Sequence, residues 1–540
     1  MRSLRSNTLL AISSASLIIC TLIAVTSAST WYVDSEHGSD TNAGNDPSAA
    51  FRTLAHASSN MDTKGGDTLS MAGQFMETLA LLNINTQADP GRQTVVESTD
   101  PVNPASIYGG TGLNASAFPY DCRGLPEGFG PGQGGYLTKG VTVTNSNYFT
   151  LQNVVIEGIA GLGLQTWNTS HVAVLNVTVQ WLSNTAMQFH HGGPTKPSAP
   201  FMKNLTLAGC TMRQMNLAKF TDREKNPKLF SIKAEALSII HVDGVSVHHN
   251  QLLNGMMEGI DLKEGTKNGV VHNNLVSATR SAGIYLDEVH NIDAYQNIIR
   301  WVGYHDPEDG SGIQQACTWM KTKGIVLTCY SSGILINVGD LLGGIMTGRE
   351  SNVRVFQNVV HDIWRYAFTI SNAYRVGEKH LYWELDNNTI FNNVFASSGY
   401  RPPFNDDVLF DIGCTHTKFF NNIIIRGKTG GVSVWAGGAN ASTRAAFWNT
   451  AMSTNNLFWQ NGANNVTNGW AGNKSTTADP LFARVPSGPG DASGDFELTA
   501  PSPAIRAGAA LAGCPPGVCQ DIGAYAFGQP AWQVGPSAWA

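Results

Sequence analysis

The chain has 540 residues, of which only 14% are charged; its formal net charge is −6, and 57 residues are glycine. So weak and negative a balance excludes a global basic field for nucleic acid. The glycine content suits a turn-rich β protein better than a helical one.

Residues 1–29 read as an export signal. Arg2 and Arg5 give a positive start, an apolar stretch runs from about Leu9 to Val25, and the small residues Ser27, Ala28 and Ser29 follow. A secreted protein is expected, free of the membrane after cleavage, because no later stretch is apolar enough to span a bilayer. Loss of the two arginines takes the formal charge from −6 to −8. Residues 30–134 are expected to form an N-terminal cap and the first irregular coils, since the open end of a stacked core must be covered.

Residues 135–480 carry a repeat. Short alternating segments, most of them ending in Asn, recur at Val172–Val177, Val245–Asn250, Gly269–Asn274, Ile292–Asn297, Val353–Asn358, Tyr382–Asn388 and Lys418–Asn422. From Asn250 to Asn274 to Asn297 the steps are 24 and 23 residues. A second set interleaves: Gly259–Lys263, Gly283–Asp287, Gly312–Gln315, Gly333–Ile336 and Ala367–Ser371. Period-two alternation marks strands with one face inside, and the small leading residue suits a tight corner. One coil then holds two or three short strands, and stacked coils pair them in parallel around an apolar column. The recurring Asn is expected to form a ladder of side-chain amides. A helical period is absent; a propeller, with a longer repeat, is the alternative. Residues 481–540 are expected to be a C-terminal coil ending in a loose tail from Phe527.

The two ends carry a resemblance. The run from Trp31 to Gly44, then Phe51-Arg-Thr-Leu, and later Asn456-Leu-Phe-Trp, Asp479-Pro-Leu-Phe, Asp495-Phe-Glu-Leu-Thr-Ala-Pro and Asp521-Ile-Gly-Ala-Tyr resemble secreted proteins of the pectin-lyase-like superfamily. The resemblance implies an all-β, single-stranded right-handed parallel β-helix. It implies no single activity, because lyases, hydrolases, epimerases and non-catalytic surface proteins share that architecture.

Alternation points Ile260, Leu262, Ile284 and Leu286 inward and Asp261, Lys263, Tyr285 and Asp287 outward. Aligning Ile260 with Ile284 sets Asp261 beside Tyr285 and Lys263 beside Asp287. Glu258, Glu264, Arg280, Glu288, His290 and His305 surround them, the densest charged cluster in a chain poor in charge. Gln165, Gln188 and His190 are expected to extend the outward column upstream; Gln314, Gln315 and Asn337 extend it downstream. Such amides and rings suit a polysaccharide.

Three readings follow. In β-elimination on a uronic-acid polysaccharide, the leading one, Lys263 is the base and Arg280 or His305 assists. Asp261, Asp287, Glu258 and Glu288 then hold a Ca²⁺ that bridges to the substrate. Carboxylates near Lys263 oppose this by raising its pKa, which a bound cation would reverse. In hydrolysis, Asp261 and Asp287 are the acid–base pair of an inverting enzyme; an epimerase would share the lyase site. In the third reading Lys263 and Asp287 form an exposed ion pair in a glycan-binding or surface protein; in all three the protein is expected to be a monomer. Tyr285, Gln188, His190, His305 and Gln314 are the expected substrate contacts.

Cys317 with Cys329 and Cys514 with Cys519 are placed to close short loops; Cys122, Cys210 and Cys414 cannot all pair, so a free thiol is expected. Sequons, among them Asn114, Asn168 and Asn387, allow glycosylation. His190–His191 and His248–His249 are adjacent pairs that face opposite ways on a strand, so neither is a metal site by itself.

Overall fold

A computed structural model describes residues 28–110, 136–191, 199–216, 235–255, 257–303, 331–337 and 349–371. It also describes 373–538 apart from 377–378, 383, 399–405, 412, 429, 436–440, 463, 467–469, 471, 489–490, 493, 511–513 and 515–517. Among these residues the strands stack into three long parallel sheets of 16, 12 and 13 strands.

Each central coil gives one strand to each of three walls. Val242–His248 lies in wall one, Gln251–Gly255 in wall two and Ile260–Lys263 in wall three. The next coil supplies Lys267–His272, Leu275–Ser277 and Ala282–Asp287. Val247 pairs with Val271, Leu252 with Val276 and Ile260 with Ile284, so the 24-residue step of the sequence is one turn of the solenoid. Wall two escapes a periodicity search because strands such as Leu275–Ser277 are too short to alternate.

The inward residues build one continuous core, from Val33 to Trp470, with Ile260, Leu262, Ile284 and Leu286 fully enclosed. Each such side chain contributes about 1.5–3 kcal/mol. Coils approach too closely at one corner for a side chain: a Cβ on Gly283 would lie 2.4 Å from Ile299 Cγ2 and 2.6 Å from Gly333 O.

The recurring asparagines form the expected ladder. Asn250, Asn274, Asn297, Asn358, Asn393, Asn422 and Asn456 are fully buried. Each carboxamide serves two coils. Asn274 Nδ2 donates to Val247 O at 2.9 Å and to Asn297 Oδ1 at 3.0 Å, while Asn274 Oδ1 accepts the Asn250 N–H at 3.0 Å. The buried amides of this one ladder are thereby satisfied.

Stacking begins earlier than expected. Thr30–Asp34, Thr68–Ala72 and Thr94–Ser98 already lie in wall one. The helix Leu54–Asn60 is N-capped by Thr53, whose side chain accepts the His56 N–H, and buries Leu54 and Ala57. The C-terminal tail is not loose. Trp532 stacks on Tyr525 at 4.0 Å, and Asn273 Nδ2 donates to Gln533 O at 2.9 Å. Cys514 and Cys519 are joined. Cys210 is a buried thiol whose pKa burial pushes up to about 12, so it is inert. Cys122, Cys317 and Cys329 lie outside the described residues, as does residues 1–27 of the expected signal. No helix among the described residues is long and apolar enough to cross a membrane.

Candidate active site

Wall three carries the expected cluster. The register sets Asp261 beside Tyr285 and Lys263 beside Asp287, with all four side chains on the outer face. Contrary to the exposed pair expected from alternation, Asp261 and Asp287 are each 1% exposed and Lys263 only 4%. Nor does Lys263 turn to Asp287. Its Nζ lies 2.8 Å from Asp261 Oδ2 on its own strand and 2.5 Å from Glu235 Oε1. Two carboxylates within bonding reach of one ammonium win over a third that is merely adjacent in register.

Glu235 is the residue that sequence reasoning misses. It precedes the wall-three strand Leu237–Ile240, whose register places Ser238 beside Asp261 and Ile240 beside Lys263. That strand opens with Ala236 instead of Gly, and its outward residues carry no charge, so it lacks the signature of its neighbours. Its signal is the step of 23 residues between Glu235 and Glu258, which repeats the coil length.

Among the described residues Glu235, Glu258 and Asp287 act on Asp261, so four carboxylates crowd about the Lys263 ammonium. Burial raises the Asp261 pKa; Lys263 lowers it; Glu235, Asp287 and Glu258 raise it again, and it ends well above the usual carboxylate range. Asp261 Oδ1 is buried without a hydrogen-bond partner among the described residues. Burial alone would depress Lys263, but Asp261 and Glu235 outweigh it and hold Lys263 protonated above its ordinary value. The Tyr285 phenol is raised by burial and then by Asp287 and Asp261, and accepts a hydrogen bond from Asn337 Nδ2 at 3.1 Å.

Two outward rows run along wall three through this cluster. One passes Gln165, Gln188, Ser238, Asp261 and Tyr285. Its amides are linked: Lys139 Nζ donates to Gln165 Oε1 at 2.8 Å, and Gln165 Nε2 to Gln188 Oε1 at 2.8 Å. The other row passes Trp167, His190, Ile240, Lys263, Asp287, Asn337 and Ser371, and its register extends to Trp435. Trp167 and Trp435 are both exposed, and Trp167 stacks on His190 at 5.0 Å. Burial lowers the His190 pKa, so its ring is neutral.

The corner past wall three forms a further column, through Asn145, Asn168, His241, Glu264 and Glu288. All of them have a left-handed φ between 50° and 61°. Asparagines occupy it early, where Asn168 Nδ2 donates to Asn145 Oδ1 at 3.0 Å, but next to the cluster acids replace them. Burial, Asp287 and Glu264 raise the Glu288 pKa to about 8. The other expected residues fall elsewhere. Arg280 is buried at the corner before Ala282–Asp287, where its N–H donates to Met257 O at 3.1 Å. His290 lies on wall one, 3.1 Å from Ser351 Oγ. His305 and Gln314 lie outside the described residues, and the strand that follows Ala282–Asp287 in wall three is Ser332–Asn337. His249 occupies a left-handed corner, which turns its Nδ1 to within 3.0 Å of His248 Nδ1.

Among the described residues no three His, Cys, Asp or Glu converge to hold a metal ion.

Residues 139–337 match the family model described as "Right handed beta helix region". Among solved structures, a pectate lyase is similar at 13% identity, with 93% of this chain and 98% of that one covered and a TM-score of 0.49. A lacto-N-biosidase from Eubacterium ramulus is similar at 13% identity, with 84% and 67% covered and a TM-score of 0.41. A mannuronan C-5 epimerase module from Azotobacter vinelandii is similar at 10% identity, with 77% and 91% covered and a TM-score of 0.41. No curated protein matches the sequence. The chain is a right-handed parallel β-helix protein, as the resemblance of its ends implied.

Proposed function

We propose that this protein is an exported, carbohydrate-active enzyme that hydrolyses a glycosidic bond in a polysaccharide lying along wall three. Asp261 is the proton donor and Asp287 the carboxylate that activates water. The observation that carries this is the Asp261 carboxyl, buried with one oxygen unpartnered and pushed well above its usual range. A buried ion pair kept for stability would be balanced, and apolar residues usually replace one at no loss. Burial with three further carboxylates close by favours the protonated form of Asp261, as a general acid at neutral pH requires.

In the reaction Asp261 gives its proton to the glycosidic oxygen as the carbon–oxygen bond breaks. Water adds to the anomeric carbon and loses a proton to Asp287, and proton exchange with solvent resets the pair. Two strand rises of ~3.3 Å and one strand spacing of ~4.8 Å put the two Cα atoms about 8 Å apart, a spacing that leaves room for a water between the side chains. Trp167 and Trp435 lie eight strand spacings of ~4.8 Å apart, roughly 38 Å, and supply a stacking face on either side.

Elimination is the second reading, supported by the position of Lys263 at the centre of the same cluster. It requires Lys263 to lose a proton that Asp261 and Glu235 hold in place, so substrate or a cation must first displace them.

The test is an assay of the mature protein on pectate, alginate, glycosaminoglycans and neutral glycans, with Ca²⁺ and with chelator. Both reducing ends and the ultraviolet absorbance of unsaturated uronates are followed. Reducing ends without absorbance, falling about 100-fold or more in Asp261→Asn, are expected. Absorbance that rises with reducing ends overturns hydrolysis in favour of elimination. Silence in both channels overturns both.

A further inference from the structure

The corner between walls one and two runs down the molecule as a column of left-handed residues: Asn273, Gln296, Gln357, Asn392, Asn421 and Asn455, with φ between 51° and 56°. Its asparagines clasp the C-terminal segment. Asn273 Nδ2 donates to Gln533 O at 2.9 Å, and Asn392 Nδ2 to Asp521 O at 2.8 Å and Gly523 O at 3.1 Å. Asn421 and Asn455 bind the backbone of Ala509 and Ala507.

The two glutamines in the middle are tied more loosely. Gln357 Nε2 stands 3.4 Å from Ala524 O, and Gln296 Nε2 stands 3.4 Å from Gln357 Oε1. Both are at the outer limit of a hydrogen bond. Between Gly523 and Gln533 a cavity of about 590 Å³ lies beside the segment. Gln296, Gln357 and Gln520 line one part of it, and Tyr525, Phe527 and Trp532 another.

The cavity's chemistry is uncharged. Asp521 is the single charged residue in its lining, and both its oxygens are committed: Oδ1 accepts the Arg506 N–H and Oδ2 the Phe527 N–H, each at 2.7 Å. Trp532 Nε1 is buried with no partner among the described residues, and Phe527 is exposed at the rim. Side-chain amides supply donors and acceptors, an indole N–H supplies another donor, and aromatic faces supply an apolar surface. That is the complement of a pyranose, whose hydroxyls ring an apolar face. The volume lies within the range of small-molecule sites.

We propose that this cavity is a second glycan site, for one or two units of an uncharged sugar. It lies at the corner of walls one and two, away from the acid cluster on wall three, and it anchors a glycan chain independently of cleavage. Holding one polymer at two points raises avidity with no new contact at either point.

The experiment uses the mature chain carrying Asp261→Asn, so that no probe is consumed. Calorimetric titration with cello-, manno- and N-acetylglucosamine oligosaccharides, and with oligogalacturonate, measures binding. At least one neutral probe is expected to bind, and to weaken about tenfold or more in both Phe527→Ala and Gln357→Ala. Thermal melts of both variants should match the parent, since Phe527 is exposed and Gln357 makes only long contacts. Absence of neutral binding, preference for oligogalacturonate, or binding that survives both cavity variants overturns the proposal. Turnover plays no part in this readout, so it stands or falls apart from the hydrolytic reading.

Discussion

Lys263 is the residue on which stability and chemistry divide. Removing its charge leaves Glu235 buried without the cation it meets at 2.5 Å, so Lys263→Met should cost about 3–5 kcal/mol at neutral pH by denaturant melt. Asp261→Asn keeps the Lys263–Glu235 contact and removes one of four crowded carboxylates. Its stability should move by about 1 kcal/mol or less while activity collapses. Equal losses of stability in the two variants would mark the cluster as scaffold only. Glu288 provides a pH test. Its carboxyl is raised from 4.5 to about 8 in the folded protein. Below pH 4.5 folded and unfolded forms are both protonated and the group has no effect. As pH rises toward 8 the unfolded chain ionises first, so the native state loses stability, and above 8 the loss levels off. Glu288→Gln should therefore melt progressively higher than the parent between pH 5 and 8; parallel melting curves across that range would refute the assignment.

At the scale of the element, each strand of the solenoid is too short to stand alone, and the corners hold the coils in register. Asn297 donates to Val271 O and to Asn358 Oδ1, and accepts the Asn274 N–H. Asn297→Ala strands buried groups on two neighbouring coils at about 1–3 kcal/mol each. Because coils contact only their neighbours, hydrogen exchange should quicken first in the coils on either side. On wall three, Trp167 stands three strands from Lys263 and touches no reacting group. Trp167→Ala should raise KM and leave kcat nearly unchanged, the signature of uniform binding; a fall in kcat alone would argue against a sugar platform there.

The whole molecule is a column whose two ends are managed differently. A short helix covers the start, while the last residues double back along the corner of walls one and two. Deleting residues 529–540 removes Trp532 from Tyr525 and the Asn273 clasp from Gln533. A lower melting temperature is expected, with wall-three activity retained. Loss of that activity would show that the two faces are coupled.

Much of this was legible in the sequence. Strand alternation, the 24-residue step and the terminal Asn of each coil follow from local rules. A coil that must bury one face and satisfy its corner has few ways to do so. The same rules set Asp261 beside Tyr285 and Lys263 beside Asp287. They do not reach burial or partnership. Alternation tells which side of a strand a residue faces, not what covers that side, so Lys263 read as exposed. Its pairing with Glu235 depends on a residue from the preceding coil, brought close only by stacking. The clasped tail was hidden for the same reason. Asn273 and Gln533 are 260 residues apart, and no local pattern links them. Register is a property of the sequence repeat, but the crowding of Glu235, Glu258 and Asp287 about Asp261 exists only once the coils are stacked.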